Sequence, residues 1–428
     1  MRSLRLRSPL WHDRGFVYLW AANAISQLGE QVSVLAIPLT ALFVLKQGAL
    51  QVALLRAFSV LPFVVFSLPA GVWIDRVRRR PLMIAADFGR ALALLTIPVA
   101  YWLGHLTLSQ LYVVAVIYGT LTVIFDVSYL SFLPGLVSRE RLSDANAKLL
   151  GTAAIAQVVG PTLAGALIGA VGAAVAVVAN AISYATSGAF VTAIRGREAK
   201  PEHMETRGRD ELVEGIRYVF RQPYLRTLTI WTSLWNLFTS GFFAIEVVYF
   251  VRTLHWGATE IGIVLALGSS GLLLGALVNE RLVARFGIGR MIAYSGLVFS
   301  ALLAAVPGAP RSHAAVVIVG SGFVASIVGF FANVNQLTFR QAITPTRLLG
   351  RMNSVVRLMY WGTIPAGSAL AGILAGPLGL RTTLFAAAVG STLTCIPIAT
   401  SKIRTVRSAT VPTDARIPGD GGMAAPAG

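Results

Sequence analysis

Residues 71–82 read GVWIDRVRRRPL, and they follow a long run of almost entirely apolar residues. The run ends at Asp75, and four arginines then stand within five positions, from Arg76 to Arg80. Charged side chains are costly to place in hydrocarbon, and arginines beside an apolar segment hold that end of it on the cytoplasmic side. The stretch therefore predicts the end of a membrane span and the start of a cytoplasmic loop.

The composition of the whole chain agrees with this interpretation. Of the 428 residues, 55% are hydrophobic and only 13% are charged, whereas soluble domains are about 25% charged. Apolar runs of about 20 residues recur, and each is long enough to cross about 30 Å of hydrocarbon as a helix. The single cysteine, Cys395, lies inside such a run, so no disulfide can form within the chain.

We predict an all-α membrane protein with twelve transmembrane helices in two pseudo-symmetric six-helix bundles. The first span is a retained helix, because it is too long for a signal peptide and holds Glu30 near its middle. The predicted spans are 16–45, 49–74, 82–103, 108–133, 147–170, 173–194, 226–251, 259–281, 291–307, 314–339, 348–376 and 380–401.

Four regions follow from these spans. Residues 1–194 form the first bundle and residues 226–402 the second. Between them, residues 195–225 form a cytoplasmic linker, in which the spacing of Leu212, Ile216 and Val219 predicts an amphipathic helix lying on the membrane surface. Residues 403–428 are rich in small and turn-forming residues and are predicted to be a disordered cytoplasmic tail.

The net charge of +18 is a topology signal. Most of the 36 lysines and arginines fall in the gaps on one side of the predicted spans, and the opposite side receives only a few. By the positive-inside rule, both termini then lie in the cytoplasm and the protein sits in the plasma membrane. Because the basic residues are confined to short gaps between spans, we expect no nucleic-acid partner.

The chain also contains an internal repeat. The glycines and the asparagine of the fifth span and its approach recur in the eleventh, and a second match links the loops after the first and seventh spans. The matching residues are Asn146 with Asn353, Gly165 with Gly372, Gly169 with Gly376, Gly172 with Gly379, Gly48 with Gly257 and Ala49 with Ala258. Six spans, a polar linker and six repeated spans are the plan of a two-bundle carrier.

The opening stretch resembles the loop between the second and third spans of the major facilitator superfamily, usually written G-x-x-x-D-R-x-G-R-R. The matching residues are Gly71, Asp75, Arg76, Arg79 and Arg80, and Arg78 replaces the usual glycine. The resemblance implies that Asp75 contacts the start of the eleventh span and closes a cytoplasmic gate. The alternative is a solvated loop with no such role. In the second repeat Ala284 takes the position of the aspartate, which implies an asymmetric gate.

The fifth span carries VVGPTLAGALIG, which resembles the G-P-x-x-G signature of exporters in the same superfamily. Gly160, Pro161 and Gly165 match it, the last glycine with a shift of one residue. The openings NAISQLGEQ and LPGLVSRERLSDANA resemble the branch of macrolide-efflux and siderophore-export proteins. Ordinary helix packing is the alternative role for the glycines, because small residues let two helices approach closely.

The resemblance implies a secondary active transporter with no enzymatic activity. We expect it to export a hydrophobic or amphipathic small molecule, such as a drug, macrolide, siderophore or secondary metabolite, by proton antiport and alternating access. The partners are then the small-molecule substrate, protons and the lipid bilayer, and we expect a monomer without cofactors. The alternatives are a proton-coupled importer and, from other classes, a lipid flippase or a membrane-embedded enzyme.

Ionisable residues inside spans are functional candidates because they are costly to bury. The three strongest candidates are Glu30, Asp126 and Glu246. Asn23, Gln27 and Glu30 share one helix face, which predicts a polar stripe along a water-filled cavity. Desolvation disfavours the charged form of a carboxyl, so such a group can bind and release protons during transport. The alternative for each is a structural hydrogen bond between helices.

Other charged residues receive structural predictions. We expect Asp87 and Arg90 to support the signature loop near Arg79, and Arg56, Arg252 and Arg357 to pair with lipid headgroups. The five histidines lie in loops or near span ends without ligand spacing, so no metal site is predicted. The fourth span lacks the arginine that many drug exporters of this superfamily carry there.

The charge asymmetry predicts that the linker before Gly208 is cytoplasmic. A fluorescent protein that matures only in the cytoplasm, fused after Gly208, should fluoresce, and alkaline phosphatase fused at the same position should be inactive. An active phosphatase together with a dark fluorescent fusion would reverse the topology.

Overall fold

The computed structural model describes residues 9–74, 77–194 and 208–408, and every regular element in those ranges is a helix. The cause is the solvent, because hydrocarbon offers no partner for a backbone N–H or C=O group and a helix satisfies its own. The long apolar runs of the sequence therefore fold as helices, and the predicted all-α class is confirmed.

The first bundle contains six helices. They are α1 (Arg14–Leu39, continued by a π-helical segment Thr40–Val44), α2 (Ala49–Ile74), α3 (Arg79–Trp102), α4 (Leu108–Leu136), α5 (Leu142–Val171) and α6 (Ala173–Ala193). After a short helix α7 (Gly208–Arg221), the second bundle follows. Its helices are α8 (Pro223–Arg252), α9 (Ala258–Ser269), α10 (Gly271–Phe286), α11 (Ile288–Leu303), α12 (Ala305–Gly308), α13 (Ala314–Ala342), α14 (Leu349–Leu374) and α15 (Leu380–Thr400).

The described helices account for the twelve predicted spans. Eleven segments are long and apolar enough to cross a membrane, with α9 and α10 forming one of them and α11 and α12 another. The twelfth span is α14, which is more polar because it carries Arg351 and Arg357, and which packs between α2 and α8. Its position between the two bundles explains how the more polar helix is accommodated.

The two ends of the molecule differ in charge. We call the end with loops 45–48, 103–107 and 253–257 the basic-poor end, and the opposite end, where α3 begins and α15 finishes, the basic-rich end. The positive-inside rule predicts that the basic-rich end lies in the cytoplasm.

At the basic-poor end, α5 of the first bundle lies directly against α9 of the second. A Cβ added to Gly165 would lie 2.6 Å from the carbonyl oxygen of Ala258 and 2.9 Å from the Cα of Gly262. One added to Gly262 would overlap the carbonyl oxygen of Pro161. The backbones touch because both helices present glycine at the crossing point.

A contact of the same kind occurs between α14 of the second bundle and α2 of the first. A Cβ added to Gly372 would lie 2.8 Å from the Cβ of Ala53 and 3.0 Å from the Cα of Leu50. Gly372 is the repeat partner of Gly165, and Leu50 and Ala53 follow the loop that matches the one before α9. The internal repeat thus supplies both helix crossings that join the bundles at the basic-poor end.

Helix α7 packs on the second bundle through part of its apolar face, while Val213 and Ile216 are exposed, and its position on the membrane surface stays a prediction. Val219 and Tyr218 are buried, and the Tyr218 hydroxyl donates to the carbonyl oxygen of Ile343 at 3.3 Å. Glu214 forms an ion pair with Arg351 of α14. Because residues 195–207 and 409–428 lie outside the described ranges, the division of the chain into domains stays a prediction.

The α5–α9 crossing leads to a test by substitution. Gly262→Ala should force the two helices apart, since overpacking of this kind costs about 1–3 kcal/mol. Spin labels on cysteines at positions 105 and 313, in a Cys395→Ser background, should report a longer and broader distance across the basic-poor end. Gly151→Ala in α5 is the matched control, because a Cβ there meets nothing within 4 Å. Identical distance distributions for Gly262→Ala and Gly151→Ala would contradict this crossing.

Candidate functional site

A buried arginine on α3 lies at the centre of the first bundle. Arg90 forms an ion pair with Asp87, one helical turn away, and both side chains are almost fully buried. The Oγ of Ser187 on α6 donates to the second carboxylate oxygen of Asp87 at 2.8 Å. The guanidinium carbon of Arg90 lies 4.4 Å from the ring centre of Phe125 and 4.1 Å from that of Tyr184. Three helices thus enclose one cation.

The close packing of α3 on α6 depends on a small residue. A Cβ added to Gly188 would lie 3.2 Å from the Cβ of Asp87 and 3.1 Å from the Phe88 ring. Glycine at this position therefore allows the neighbouring Ser187 to reach the carboxylate, and it sets the depth at which Arg90 lies in the bundle.

Two of the predicted acids lie beside this cation. Glu30 on α1 and Asp126 on α4 are electrostatic partners of each other, and both are partners of Arg90. Both carboxylates are half-buried. The hydroxyls of Tyr118 and Tyr184 form a hydrogen bond of 2.8 Å in the same region. The structure thus brings together two acids that are distant in the sequence, around an arginine.

The remaining members of the predicted polar stripe lie along α1 from Glu30. Asn23 and Gln27 are half-buried and stand nearer the basic-rich end. An adjacent face of α1 packs on α6, where a Cβ on Gly29 would overlap Ser183 and where Asn180 donates to the Ser33 hydroxyl at 2.6 Å. This packing fixes the rotation of α1, and with it the direction of the stripe.

The third predicted acid, Glu246 on α8, lies apart from the other two. Its electrostatic partner is Arg56 on α2, so this attraction acts between the two bundles without a direct ion pair. Glu246 is 9% exposed, whereas Arg56 is exposed although α2 is a span. Tyr360 on α14 is a further electrostatic partner of Arg56. The pairing of Arg56 with lipid headgroups stays a prediction, and the structure adds electrostatic interactions with protein groups.

A second arginine from the other bundle reaches the acids of the first. Arg357 on α14 is an electrostatic partner of Asp126 and is exposed. Four residues further along α14, the ring of Trp361 stacks on Phe63 of α2 with centroids 4.6 Å apart. Polar and aromatic groups from both bundles therefore meet near the middle of the molecule, and the predicted contact of Arg357 with a lipid headgroup stays a prediction.

The motif residues are placed as follows. Asp75 and Arg76 lie outside the described residues, and Gly71 lies in the last turn of α2. Arg79 begins α3, and Arg80 donates to the carbonyl oxygens of Val191 (3.1 Å) and Thr192 (2.5 Å) at the end of α6.

In the exporter motif, a Cβ on Gly160 would overlap Gln31 of α1, while Pro161 and Gly165 face α9. The gating roles of these residues stay predictions.

Sequence reasoning missed the role of Arg90. It placed Arg90 and Asp87 beside the signature loop, but at about 1.5 Å per residue Arg90 lies about 16 Å along α3 from Arg79. The available signal was an Asp and an Arg three residues apart in an apolar helix, which pair on one face. The fourth span lacks an arginine, and α3 supplies Arg90, which is an electrostatic partner of Glu30 and Asp126.

Among the residues that the structure describes, no group of three or more His, Cys, Asp or Glu side chains is placed to hold a metal ion. The arrangement can instead change its charge by binding protons. With both carboxylates ionised, Glu30 and Asp126 repel each other and attract Arg90, and each proton bound removes one negative charge from the site.

Comparison with known proteins gives consistent matches over the full length. A family model described as transmembrane secretion effector matches residues 7–421. An uncharacterised transporter of the major facilitator type from Sinorhizobium fredii is 29% identical, over 84% of this chain and 88% of its own. The multidrug efflux pump Tap of Mycolicibacterium fortuitum is 28% identical, over 79% of this chain and 84% of its own.

A solved structure shows the same fold. A bacterial homologue of the iron transporter ferroportin, in its inward-facing state, aligns with a TM-score of 0.72 over 91% of this chain and 99% of that one. The two sequences are 19% identical, so the likeness concerns the fold alone.

The Arg90 ion pair makes a testable prediction about stability. Arg90→Gln leaves Asp87 buried without its cation, which typically costs about 3–5 kcal/mol. The double variant Arg90→Gln, Asp87→Asn removes both charges and should recover most of that loss. Thermal unfolding of the purified full chain measures both variants. A double variant that is no more stable than Arg90→Gln would show that the unpaired charge of Asp87 is not what destabilises Arg90→Gln.

Proposed function

The chain belongs to the transmembrane secretion effector family of the major facilitator superfamily, and we propose that it exports a hydrophobic or amphipathic small molecule in exchange for protons. It is a membrane transporter and not an enzyme. The observation that carries the proposal is the meeting of Glu30 and Asp126 beside Arg90 in the interior of the first bundle.

The acids support proton coupling through the cost of burying charge. An ionised carboxylate loses hydration free energy when water leaves its surroundings, and a bound proton removes that cost. A protonated site therefore favours the conformation in which it is dry, and a deprotonated site favours the one in which it is wet. This difference allows a proton gradient to drive a change of conformation.

Competition between the proton and the substrate would produce exchange. In the deprotonated state Glu30 and Asp126 together carry two negative charges, and a cationic or polar group of a substrate can interact with them favourably. Protonation removes this attraction. A substrate that binds from the cytoplasm then displaces the protons inward, and protons that bind from outside displace the substrate outward.

The helix crossings support alternating access. The Gly165–Gly262 contact closes one side of the basic-poor end and the contact of Gly372 with Leu50 closes the other. Each crossing brings a glycine of one bundle into van der Waals contact with the other, and the attraction between Arg56 and Glu246 acts between the same two bundles. Contacts of this kind separate without leaving hydrogen-bonding groups of the backbone unsatisfied. With the basic-rich end in the cytoplasm, the structure is the form closed to the outside.

Export is favoured over import by two observations. The motif at Gly160 and Pro161 resembles that of exporters, and a relative that aligns over most of this chain is named as a multidrug efflux pump. A proton-coupled importer is the second candidate, since the same acids could carry protons together with a substrate. The described residues offer no further support for a lipid flippase.

A substrate can be found with a panel of toxic compounds in a host that lacks its own efflux pumps. Efflux of that compound is then measured from preloaded vesicles with an imposed pH gradient. Glu30→Gln and Asp126→Asn should each abolish the response to the gradient and leave passive exchange of the compound, because the amides mimic the protonated acids. Glu280→Gln, which removes an exposed acid of α10, is the matched control and should respond like the wild type.

The outcomes separate the alternatives. If both amide variants keep the full response, neither acid couples protons and the site assignment is wrong. If the wild type accumulates the compound against its gradient on the cytoplasmic side, the protein is an importer.

A further inference from the structure

A polar cavity lies at the basic-rich end of the second bundle, away from the acids of the first bundle. Its volume is about 380 Å³, within the range of about 300–1,000 Å³ that is typical of small-molecule sites. The lining residues are Phe286, Arg290, Tyr294, Arg404, Thr405 and Arg407. It is therefore a cavity with three arginines and two aromatic rings.

Backbone hydrogen bonds fix the shape of this cavity. After α15 the chain turns back through a 3-10 helix (Lys402–Thr405) and binds the turn between α10 and α11. The N–H of Gly289 donates to the carbonyl oxygen of Val406 at 2.9 Å, and the N–H of Ile288 donates to that of Arg407 at 3.3 Å. A Cβ on Gly289 would overlap the carbonyl oxygen of Ile403, so glycine is required there. The segment holds Arg404 and Arg407 beside Arg290.

Among the described residues, no acid lines the cavity to balance its charges. Within the described ranges, none of its three arginines forms an ion pair with a carboxylate. In the repeat, the position of Asp75 is taken here by Ala284. This end of the second bundle therefore lacks the carboxylate that the first bundle has at the equivalent position, and three like charges share one cavity.

The position of the cavity relative to the membrane limits what can bind it. Arg290 and Tyr294 lie one turn apart on α11, and Ile288–Gly308 is a candidate span. The cavity thus extends from the loops into the boundary of the span. Tyr294 is 43% exposed and Phe286 is 45% exposed, and aromatic side chains at that level are typical of the membrane interface. A free inorganic anion would interact with the arginines alone, whereas the rings of Phe286 and Tyr294 suit a ligand that also has an apolar part.

We propose that this cavity binds the headgroup of an anionic phospholipid, with the phosphodiester among Arg290, Arg404 and Arg407 and the acyl chains along Phe286 and Tyr294. Basic pockets on the cytoplasmic side of membrane proteins suit such headgroups because both charge and depth match. The lipid would balance the three charges and would hold the segment after α15 against the turn between α10 and α11.

The test is a lipid titration of the purified full chain, followed by native mass spectrometry. Phosphatidylglycerol should bind to the wild type at least about tenfold more tightly than phosphatidylcholine, given the attraction of several arginines for an anionic headgroup. The triple variant Arg290→Gln, Arg404→Gln, Arg407→Gln should lose that preference. The matched control removes three exposed arginines outside the cavity, by Arg217→Gln, Arg221→Gln and Arg347→Gln, and should keep it.

Two single variants test the contributions of the aromatic ring and of one arginine separately. Tyr294→Ala keeps all three charges and should still weaken phosphatidylglycerol binding, and the single variant Arg290→Gln should weaken it without lowering the unfolding temperature. Equal binding of phosphatidylglycerol by the wild type and the triple variant would overturn the site. An equal loss of lipid preference in the control variant with three substitutions outside the cavity would overturn it as well. Displacement of the lipid by millimolar inorganic phosphate would overturn the lipid in favour of a free anion.

Discussion

The guanidinium of Arg90 is a permanent positive charge in the middle of a six-helix bundle, and the surrounding residues are arranged to offset it. Asp87 forms an ion pair with it, Ser187 binds the carboxylate, and two aromatic rings present their faces to the cation. An isolated charge in a medium of low dielectric constant is strongly disfavoured. The bundle therefore needs these partners, and the remaining attraction of Arg90 acts on Glu30 and Asp126.

The same constraint explains why the acids are suited to carry protons. Asp87 is bound directly to Arg90 and to Ser187, so its charge is matched in the folded state. Glu30 and Asp126 are half-buried and interact with Arg90 at longer range. The first acid thus serves the structure, whereas the other two lie where a change in hydration alters their charge. The glycine crossings at Gly165 and Gly372 would then convert that change into movement of the bundles.

The fold could be predicted almost entirely from the sequence, because each prediction depended on local composition. The lengths of the apolar runs indicated the spans, and the repeat of Gly165 at Gly372 indicated two related bundles. The site could be predicted only in part. Glu30 and Asp126 were recognised as costly charges, but the partners of Arg90 come from α4 and α6 and have no signal in the sequence near it.

The predictions that were incomplete share one cause. Arg56 and Arg357 were assigned to lipid because a single helix does not reveal which side faces the other bundle, and the structure adds electrostatic interactions with Glu246 and Asp126. The apolar face of α7 was assigned to the membrane surface, and the second bundle buries Tyr218 and Val219 of this helix but leaves Ile216 exposed. An amphipathic pattern shows that one face is covered, but it does not identify what covers it.

The central claim is that Glu30 and Asp126 exchange protons while Arg90 keeps its charge. Infrared difference spectroscopy between acidic and neutral samples of the purified protein measures this directly, through the C=O stretching band of protonated carboxyl groups. If these two acids exchange protons, the band from poorly hydrated carboxyls should decrease in Glu30→Gln and in Asp126→Asn and decrease further in the double variant. It should be unchanged in Glu280→Gln. A double variant with the full band of the wild type would contradict the claim.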